Sequence, residues 1–383
     1  MTGKQFLAAT LACTALIAAA LGQTSTSVTY SYAKLAYPGA LLTMPNAINN
    51  NNVIVGSYFD ASSNEHGFIY QHGAFTPVNF PGATVTEIRG INDAGDIVGV
   101  YQTSGPLNFH GFLRHKGKFM KINAPTAQFG TRAFAINDTG TIVGSYDDAH
   151  GFIFQNGAFR TFDAPQLPGE LPQTQLNGIN KLGWIAGQVF TGGIWRGFWI
   201  IGKDVDFIEA RGGHDSQVNG INARGDVVGC HDANVGLISF NVEQNEGSER
   251  TEKFPQQERL ASCVSAVNFA RVIVGSYFTV KQPYGFVGVP VLTLKVSAPA
   301  DHSSLTNPIH VTASASGIHR MSQIQVWVNF KKVLQVNEGA LNRDMNLPVG
   351  AKERFVIQAV DSTHVTTKVV ETITVQDAAG SQE

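Results

Sequence analysis

"GINDAGDIVGVY" (residues 90–101) returns along the chain as "AINDTGTIVGSY" (135–146), "GINKLGWIAGQV" (178–189) and "GINARGDVVGCH" (220–231). The Asn of the phrase marks six units, at Asn49, Asn92, Asn137, Asn180, Asn222 and Asn268, spaced 42 to 46 residues apart. An Ile or Val precedes each Asn. A Gly follows seven positions later every time, at Gly56, Gly99, Gly144, Gly187, Gly229 and Gly275. An offset held through six copies marks a repeat architecture, in which one unit cannot bury its apolar face alone and stacks on its neighbours.

Each unit has a second half. "HGFIYQHGAFTPVNFPGA" (66–83) matches "HGFLRHKGKFMKINAPTA" (110–127) and "HGFIFQNGAFRTFDAPQL" (150–167), with a degenerate copy in "RGFWIIGKDVDFIEARGG" (196–213). One unit reads as four strands. The "xxGIN" run is the first, and a turn such as Asp93-Ala94-Gly95 supplies the left-handed backbone angles of a hairpin. "DIVGVY", "HGFLRHK" and "FMKINAP" are the second, third and fourth. Four short antiparallel strands in about 43 residues is the size of a propeller blade. The expected fold is therefore all-β, a six-bladed β-propeller over residues 23–290. "TYSYAKLAYPGA" (29–40) reads as an isolated fourth strand, ending in Pro-Gly as "NFPGA" (79–83) does. The last unit stops after its third strand, near Val289, so the N-terminal strand is expected to complete it and remove an exposed edge.

The repeated residues read first as scaffold. The Ile is expected in packing between blades, the Asn on backbone at the turn, and the Gly where backbone approaches closely. The other reading is six Asn side chains lining a channel and binding one ligand.

The phrases "GINDAGDIVG" and "HGFI…NGAF" resemble the bacterial extracellular HAF-repeat family, over roughly residues 45–290. The resemblance implies a propeller-like array on an exported protein and no particular reaction. The fifth unit departs from it in lacking His-Gly-Phe, the sixth in lacking the Asp/Gly turn ("NFARVIVG").

From "LTLKVSAPADHSSLTNPIHVTASA" (292–315) the rhythm changes. Alternation in "QIQVWVNF" puts Ile324, Val326 and Val328 on one face. Roughly seven strands over 291–377 predict an immunoglobulin-like β-sandwich, and the segment resembles bacterial Ig-like modules. Residues 378–383 are expected to be a frayed, disordered tail.

Charged residues are 15% of the chain and the net charge is −2, with no basic stripe, which argues against nucleic acid. Lys4 followed by "FLAATLACTALIAAALG" (6–22) reads as a signal peptide cut after Ala20 or Gly22, the alternative being a retained anchor. A secreted, periplasmic or cell-surface protein is expected, with no membrane span after cleavage. Cys230 and Cys263 then either pair or stay as buried thiols.

Nucleophile-elbow, zinc-protease, phosphate-loop and Cys-x-x-Cys motifs are absent, and no cofactor or metal is implied. His66, His110 and His150 hold one position in three units, and Arg196 and Tyr284 hold it in two others. They read either as a ring for a metal or an anionic ligand, or as inherited third-strand residues too far apart to share an ion. His214–Asp215 and His231–Asp232 read as loop dyads without a visible partner. Trp184, Trp195, Phe198 and Trp199 cluster in the fourth unit, as core packing or as platforms for a sugar ring. His66, His110, His150, Arg196, Trp195 and Trp199 are the candidate ligand-binding residues. The expected function is non-enzymatic binding of a glycan or cell-envelope protein. The rivals are a glycoside hydrolase or lyase with its site in the central cavity, and a purely structural surface protein. Paired carboxylates at one channel mouth would favour the enzyme.

Overall fold

The computed structural model describes residues 29–104, 109–171, 173–208, 215–231, 235–239, 250–251, 259–279, 283–317, 321–347, 352–362 and 366–376. The expected signal peptide (1–22) and tail (378–383) lie outside them. Among the described residues there are strands and turns and no helix.

The repeat units fold as four-stranded antiparallel sheets arranged as a propeller. The first sheet is β2 (Leu42–Ile48), β3 (Ile54–Phe59), β4 (Glu65–Gln71) and β5 (Ala74–Val78). The second is β6 (Val85–Ile91), β7 (Ile97–Gln102), β8 (His110–His115) and β9 (Lys118–Ile122). The third is β10 (Thr131–Ile136), β11 (Ile142–Tyr146), β12 (His150–Gln155) and β13 (Ala158–Phe162). The fourth is β14 (Thr174–Ile179), β15 (Ile185–Thr191), β16 (Ile194–Ile201) and β17 (Asp204–Ile208). The fifth is β18 (Ser216–Ile221), β19 (Val227–His231), β20 (Val235–Ser239) and β21 (Arg250–Thr251). The sixth joins β22 (Arg259–Val267), β23 (Ile273–Thr279) and β24 (Pro283–Val291) to the N-terminal β1 (Thr29–Leu35), antiparallel with Thr29 opposite Val291 and Leu35 opposite Gly285.

The segment after β1 behaves like the end of any fourth strand. The Tyr37 N–H donates to Thr43 Oγ1 at 2.9 Å, as Phe80 does to Thr86 (3.0 Å), Ala124 to Thr131 (2.9 Å) and Ala164 to Thr174 (3.0 Å). Tyr37 stacks on Tyr58 at 3.6 Å, just as Phe80 stacks on Tyr101. In four of the sheets a buried hydroxyl six residues before the repeat Asn thus ties the sheet to the loop that enters it.

The repeat Asn does two jobs with one side chain. Its Oδ1 accepts the N–H four residues on: Val53, Asp96, Thr141, Trp184, Asp226 and Val272, at 2.8–3.0 Å. Its Nδ2 donates to the carbonyl of the next repeat Asn: 49 to 92, 92 to 137, 137 to 180, 180 to 222, 222 to 268, and 268 back to 49, at 2.9–3.2 Å. The hydrogen bonds close a circle. Asp has the acceptor and lacks the donor, so only the amide serves both ends. Asn137→Ala is expected to cost about 1–3 kcal/mol, because it orphans the buried Thr141 N–H and leaves the Asn180 carbonyl with the Gly183 N–H alone. A denaturant midpoint that barely moves would show the circle carries little.

Each repeat Gly meets a β-bulge in the first strand. A Cβ there would lie 1.8–2.4 Å from the carbonyl oxygen of Met44, Glu87, Arg132, Gln175, Gln217 or Cys263 in turn. No side chain fits.

Residues 293–376 form two further sheets. One is β25 (Thr293–Ala298), β27 (Ile309–Ser316) and β30 (Ala340–Met345). The other is β26 (Ser304–Thr306), β32 (Thr366–Gln376), β31 (Lys352–Asp361), β28 (Met321–Val328) and β29 (Lys331–Val336). Ile324, Val326 and Val328 do share the buried face, packed with Val311, Leu341, Phe355, Ile357 and Ile373.

Candidate functional site

The first strand of each sheet lines the propeller axis, and its alternation sorts the axis into layers. At one end lies the asparagine circle. Next come Ile48, Ile91, Ile136, Ile179, Ile221 and Val267, which border the cavities on both sides. Four of these, Ile48, Ile136, Ile221 and Val267, are also core residues between sheets. The expected packing between blades is there, and these residues form the waist of the channel as well. Beyond the waist, three residues before each Asn, stand Asn46, Arg89, Phe134, Asn177, Asn219 and Ser265 around an empty volume of about 430 Å³. Two residues further out, on the same side of each strand, stand Met44, Glu87, Arg132, Gln175, Gln217 and Cys263, all half-buried.

These two outer layers are where the repeat stops repeating. Blades 2 and 3 carry charge. Glu87 pairs with Arg89 at 2.7 Å, and Arg132 pairs with Asp148. Arg89 lies over the Phe134 ring at 5.2 Å and Arg132 over Phe109 at 4.2 Å. Glu65, at the start of the third strand of blade 1, is close enough to feel both Glu87 and Arg89. Burial first, and the Glu87 charge second, push its carboxyl above the usual range. Burial and then the Arg89 charge lower the Arg132 guanidinium's hold on its proton. Blades 4 and 5 carry neutral amides. Asn177 and Asn219 each donate to the next first strand, at Val218 O (2.8 Å) and Val264 O (3.0 Å). Gln188 donates to Gln175 Oε1 at 3.0 Å.

The Glu65 shift makes a stability prediction. A raised pKa means the folded chain holds the proton more tightly than the unfolded one. That contribution is complete below the ordinary glutamate range and is lost as pH rises through the raised value. Glu65→Gln is therefore expected to match the parent near pH 4 and to melt on the order of 1–2 °C higher at pH 8. Equal melting temperatures at both pH values would contradict it.

The asparagine mouth offers less. Asp93 accepts from Asn50 and Asp138 accepts from the Asp93 N–H at 2.9 Å, so both carboxylates serve the turns.

The candidate histidines sit at the end opposite the asparagine circle, on third strands, two strands out from the axis. Each is held inside its own blade. His66 lies against Tyr58 and reaches Asn79 and Asp60, at 3.2 and 3.3 Å. His110 lies against Tyr101 and accepts from Asn123 at 3.3 Å. His150 lies against Tyr146 and bonds Asp163 at 3.0 Å. They do not form a ring for one ion. Among the described residues no group of three or more His, Cys, Asp or Glu is placed to hold a metal. Trp199 packs with Trp184 against Ala186, Val218, Ile221 and Val227, between blades 4 and 5; its place as a ligand platform is corrected to core. Phe198 is fully buried. Trp195 stays half-buried near the open end, edge-on to Phe190 at 5.5 Å, its backbone N–H donating to Asp215 Oδ1. Arg196 beside it is exposed. His214 and Asp232 lie outside the described residues, as does the side chain of His231.

Cys230 and Cys263 are joined in a disulfide between blades 5 and 6, with Cα atoms 5.0 Å apart. Cys230 follows the repeat Gly229 and Cys263 stands five before the repeat Asn268, so the pair occupies a position that every blade boundary possesses.

Sequence reading missed Glu65, Glu87, Arg89, Arg132, Gln175 and Gln188. For Glu87, Arg89, Arg132 and Gln175 the signal was there: the positions three and five before each Asn vary where their neighbours repeat.

No protein-family model and no curated protein sequence matches the chain significantly. Among solved structures, a gluconolactonase from Xanthomonas campestris is similar at 11% identity and a TM-score of 0.44, over 68% of this chain and 90% of that one. A lectin from Aleuria aurantia in complex with Fucα1-6GlcNAc is similar at 8% identity and a TM-score of 0.38, over 65% and 95% of the two chains. Both are propeller proteins.

Proposed function

We propose that this chain is an exported binding module, a six-bladed propeller with an Ig-like sandwich, which takes its ligand at the channel mouth opposite the asparagine circle. One observation carries the reading. Scaffold positions are alike in all six units, and the half-buried ring five before each Asn is different in nearly every one: Met, Glu, Arg, Gln, Gln, Cys. Cys263 serves the scaffold through its disulfide, and the variation at the other five positions is what a site for one asymmetric ligand on a near-symmetric frame requires. The Cys230–Cys263 bond fits an oxidising compartment, which supports export and the HAF-repeat resemblance.

A hydrolase or lyase is the second reading, and Glu65 favours it. A carboxyl pushed up by burial and then by the neighbouring Glu87 is the kind of pairing that separates acid from base.

The test is binding of the purified chain to a panel of glycans and cell-envelope polymers, with products assayed in the same wells. A plugged variant, Gln217→Trp, serves as control. Binding without turnover, lost in the plugged variant, is the expected result. Turnover that Glu65→Gln abolishes would replace the binding reading with the enzymatic one. Binding that ignores the plug would move the site elsewhere.

A further inference from the structure

We infer that the asparagine end of the axis carries a second site, which takes a carboxylate group over Ala223 on main-chain N–H groups and the Lys181 ammonium. It stands independently of the site proposed at the opposite mouth.

The first observation is a ladder of hydrogen bonds that stops halfway. The residues after the repeat Asn, namely Asn50, Asp93, Asp138, Lys181, Ala223 and Phe269, line a cavity of about 450 Å³ together with the asparagine circle. Through half of this ring, the side chain of one unit caps the N–H of the unit before it. The Phe269 N–H donates to Asn50 Oδ1 at 2.8 Å, the Asn50 N–H to Asp93 Oδ1 at 2.8 Å, and the Asp93 N–H to Asp138 Oδ1 at 2.9 Å. Lys, Ala and Phe have no acceptor to continue it. The N–H groups of Asp138, Lys181 and Ala223 accordingly have no hydrogen-bond partner among the described residues. Asp93 and Asp138 show what such an N–H takes: the oxygen of a carboxylate. A ligand carboxylate over Ala223 stands in for the side chain that Ala223 lacks, and accepts from Lys181 as Asp93 accepts from Asn50.

The second observation is the charge on the same half of the ring. Lys181 belongs to blade 4, yet its Nζ lies 5.4 Å from the centre of the Phe269 ring in blade 6. The side chain therefore reaches across blade 5, where Ala223 stands. Lys181 forms no ion pair among the described residues. Arg224, the neighbour of Ala223, lies 4.2 Å from the centre of the same ring and spends its Nε on the Phe269 carbonyl at 2.8 Å, which leaves its terminal donors without a partner among the described residues. The mouth's carboxylates stand on the other half. Asp93 holds both donors of Asn50, and Asp138, on blade 3, is the nearer of the two to Lys181 along the ring. Main-chain donors beside an unpaired ammonium make charge-assisted hydrogen bonds to an oxyanion. A free organic acid and an acidic side chain of a partner protein offer the same group.

Amide-resolved NMR of the full chain tests this with four probes: propionate, propionamide, acetyl-Gly-Asp-Gly-amide and acetyl-Gly-Asn-Gly-amide. The two acids are expected to move the Lys181 and Ala223 amide protons downfield and to leave those of Asn50 and Phe269, already capped, in place. The two neutral probes should move none of them. Lys181→Gln is expected to weaken acid binding about tenfold, the worth of one charge-assisted hydrogen bond. Asp138→Asn keeps the acceptor for the Asp93 N–H and removes a negative charge, so it should tighten binding about twofold to threefold. Ala223→Asp supplies the missing rung from the chain itself, and is expected to melt no lower than the parent and to abolish the acid-induced shifts. Tighter binding of the Asp peptide than of propionate supports the site with an acidic protein segment as its ligand, and equal binding supports it with a free acid. Equal shifts with acid and amide, shifts centred away from Lys181 and Ala223, shifts undiminished in Ala223→Asp, a lower melting temperature in that variant, or no shift with any probe overturns the site. The Gln217→Trp variant, plugged at the other mouth, should respond as the parent does. Loss of the shifts there would place the carboxylate at the opposite mouth and overturn this inference alone.

Discussion

Arg271→Ala is expected to destabilise the propeller by about 3–5 kcal/mol, as removal of one partner from a buried ion pair does. Asp226 is wholly buried, its side chain 0% exposed, and Arg271 is 13% exposed. The guanidinium donates twice, from Nε to Oδ2 and from Nη2 to Oδ1, both at 2.9 Å. Asp226 also accepts from Asn222 Nδ2 at 2.8 Å, which couples the pair to the asparagine circle. Arg271 occupies the turn position where four units carry Gly95, Gly140, Gly183 and Gly225, and like them it has positive φ, at 61°. A bulky side chain in that conformation costs roughly 1 kcal/mol. The sixth unit accepts the strain, and the fifth receives a counterion. Arg271→Gly should thus be milder than Arg271→Ala by about that amount. Arg271→Gly combined with Asp226→Asn, which removes strain and charge together, should recover most of the loss. Denaturant midpoints of the three variants decide it. A loss under about 1 kcal/mol in Arg271→Ala would mean that water reaches Asp226.

The sixth unit's missing Asp/Gly turn was visible in "NFARVIVG", but its compensation was not, because Asp226 lies 45 positions back in another blade. The same distance explains which parts of the site were legible. Asn, Gly and the Pro-Gly after β1 were readable because each repeats, or imitates, a local pattern whose physics is local: a turn, a bulge, a strand end. Glu65, Glu87, Arg89 and Arg132 come from three units, and nothing in any one unit announces them. His66, His110 and His150 drew attention for the opposite reason. They repeat, and repetition here marks a side chain wedged between its own blade's second-strand Tyr and fourth-strand Asn or Asp. Trp199 misled in the same way, since an aromatic in a strand reads alike whether it faces solvent or the next blade. The disulfide was half legible. Two cysteines in an exported chain either pair or stay as buried thiols, and only the fold shows them as occupants of facing repeat positions on either side of a blade boundary.

That position yields the second large effect. The residue after the repeat Gly in one blade faces the residue five before the repeat Asn in the next, as Cys230 and Cys263 do. Met44 and Ser276 are the equivalent pair across the seam between the sixth and first blades. Met44→Cys with Ser276→Cys is therefore expected to oxidise without backbone rearrangement. The native bond encloses a separation of 33 residues and is worth about 3–4 kcal/mol by loop-closure entropy. The seam bond would tie together nearly the whole propeller and is worth about 5 kcal/mol, less about 1–2 for the shortened Met44 side chain. The gain should appear in the oxidised double variant and vanish on reduction, with the loss of Cys230–Cys263 measured separately in Cys230→Ser/Cys263→Ser. A thiol titration showing two free cysteines in the folded double variant would mean that the seam does not share the geometry of the other boundaries. The seam is closed by β1 pairing with β24 inside the sixth sheet, by Asn268 on Asn49 and by the Phe269 N–H on Asn50, and the chain crosses it only through the short segment between β1 and β2. Unfolding is expected to begin there, because separating blades 5 and 6 first would leave them joined by sulfur and free little chain entropy. A seam staple then slows unfolding more than it speeds folding, and the unfolding limb of a denaturant chevron is where its effect should be largest.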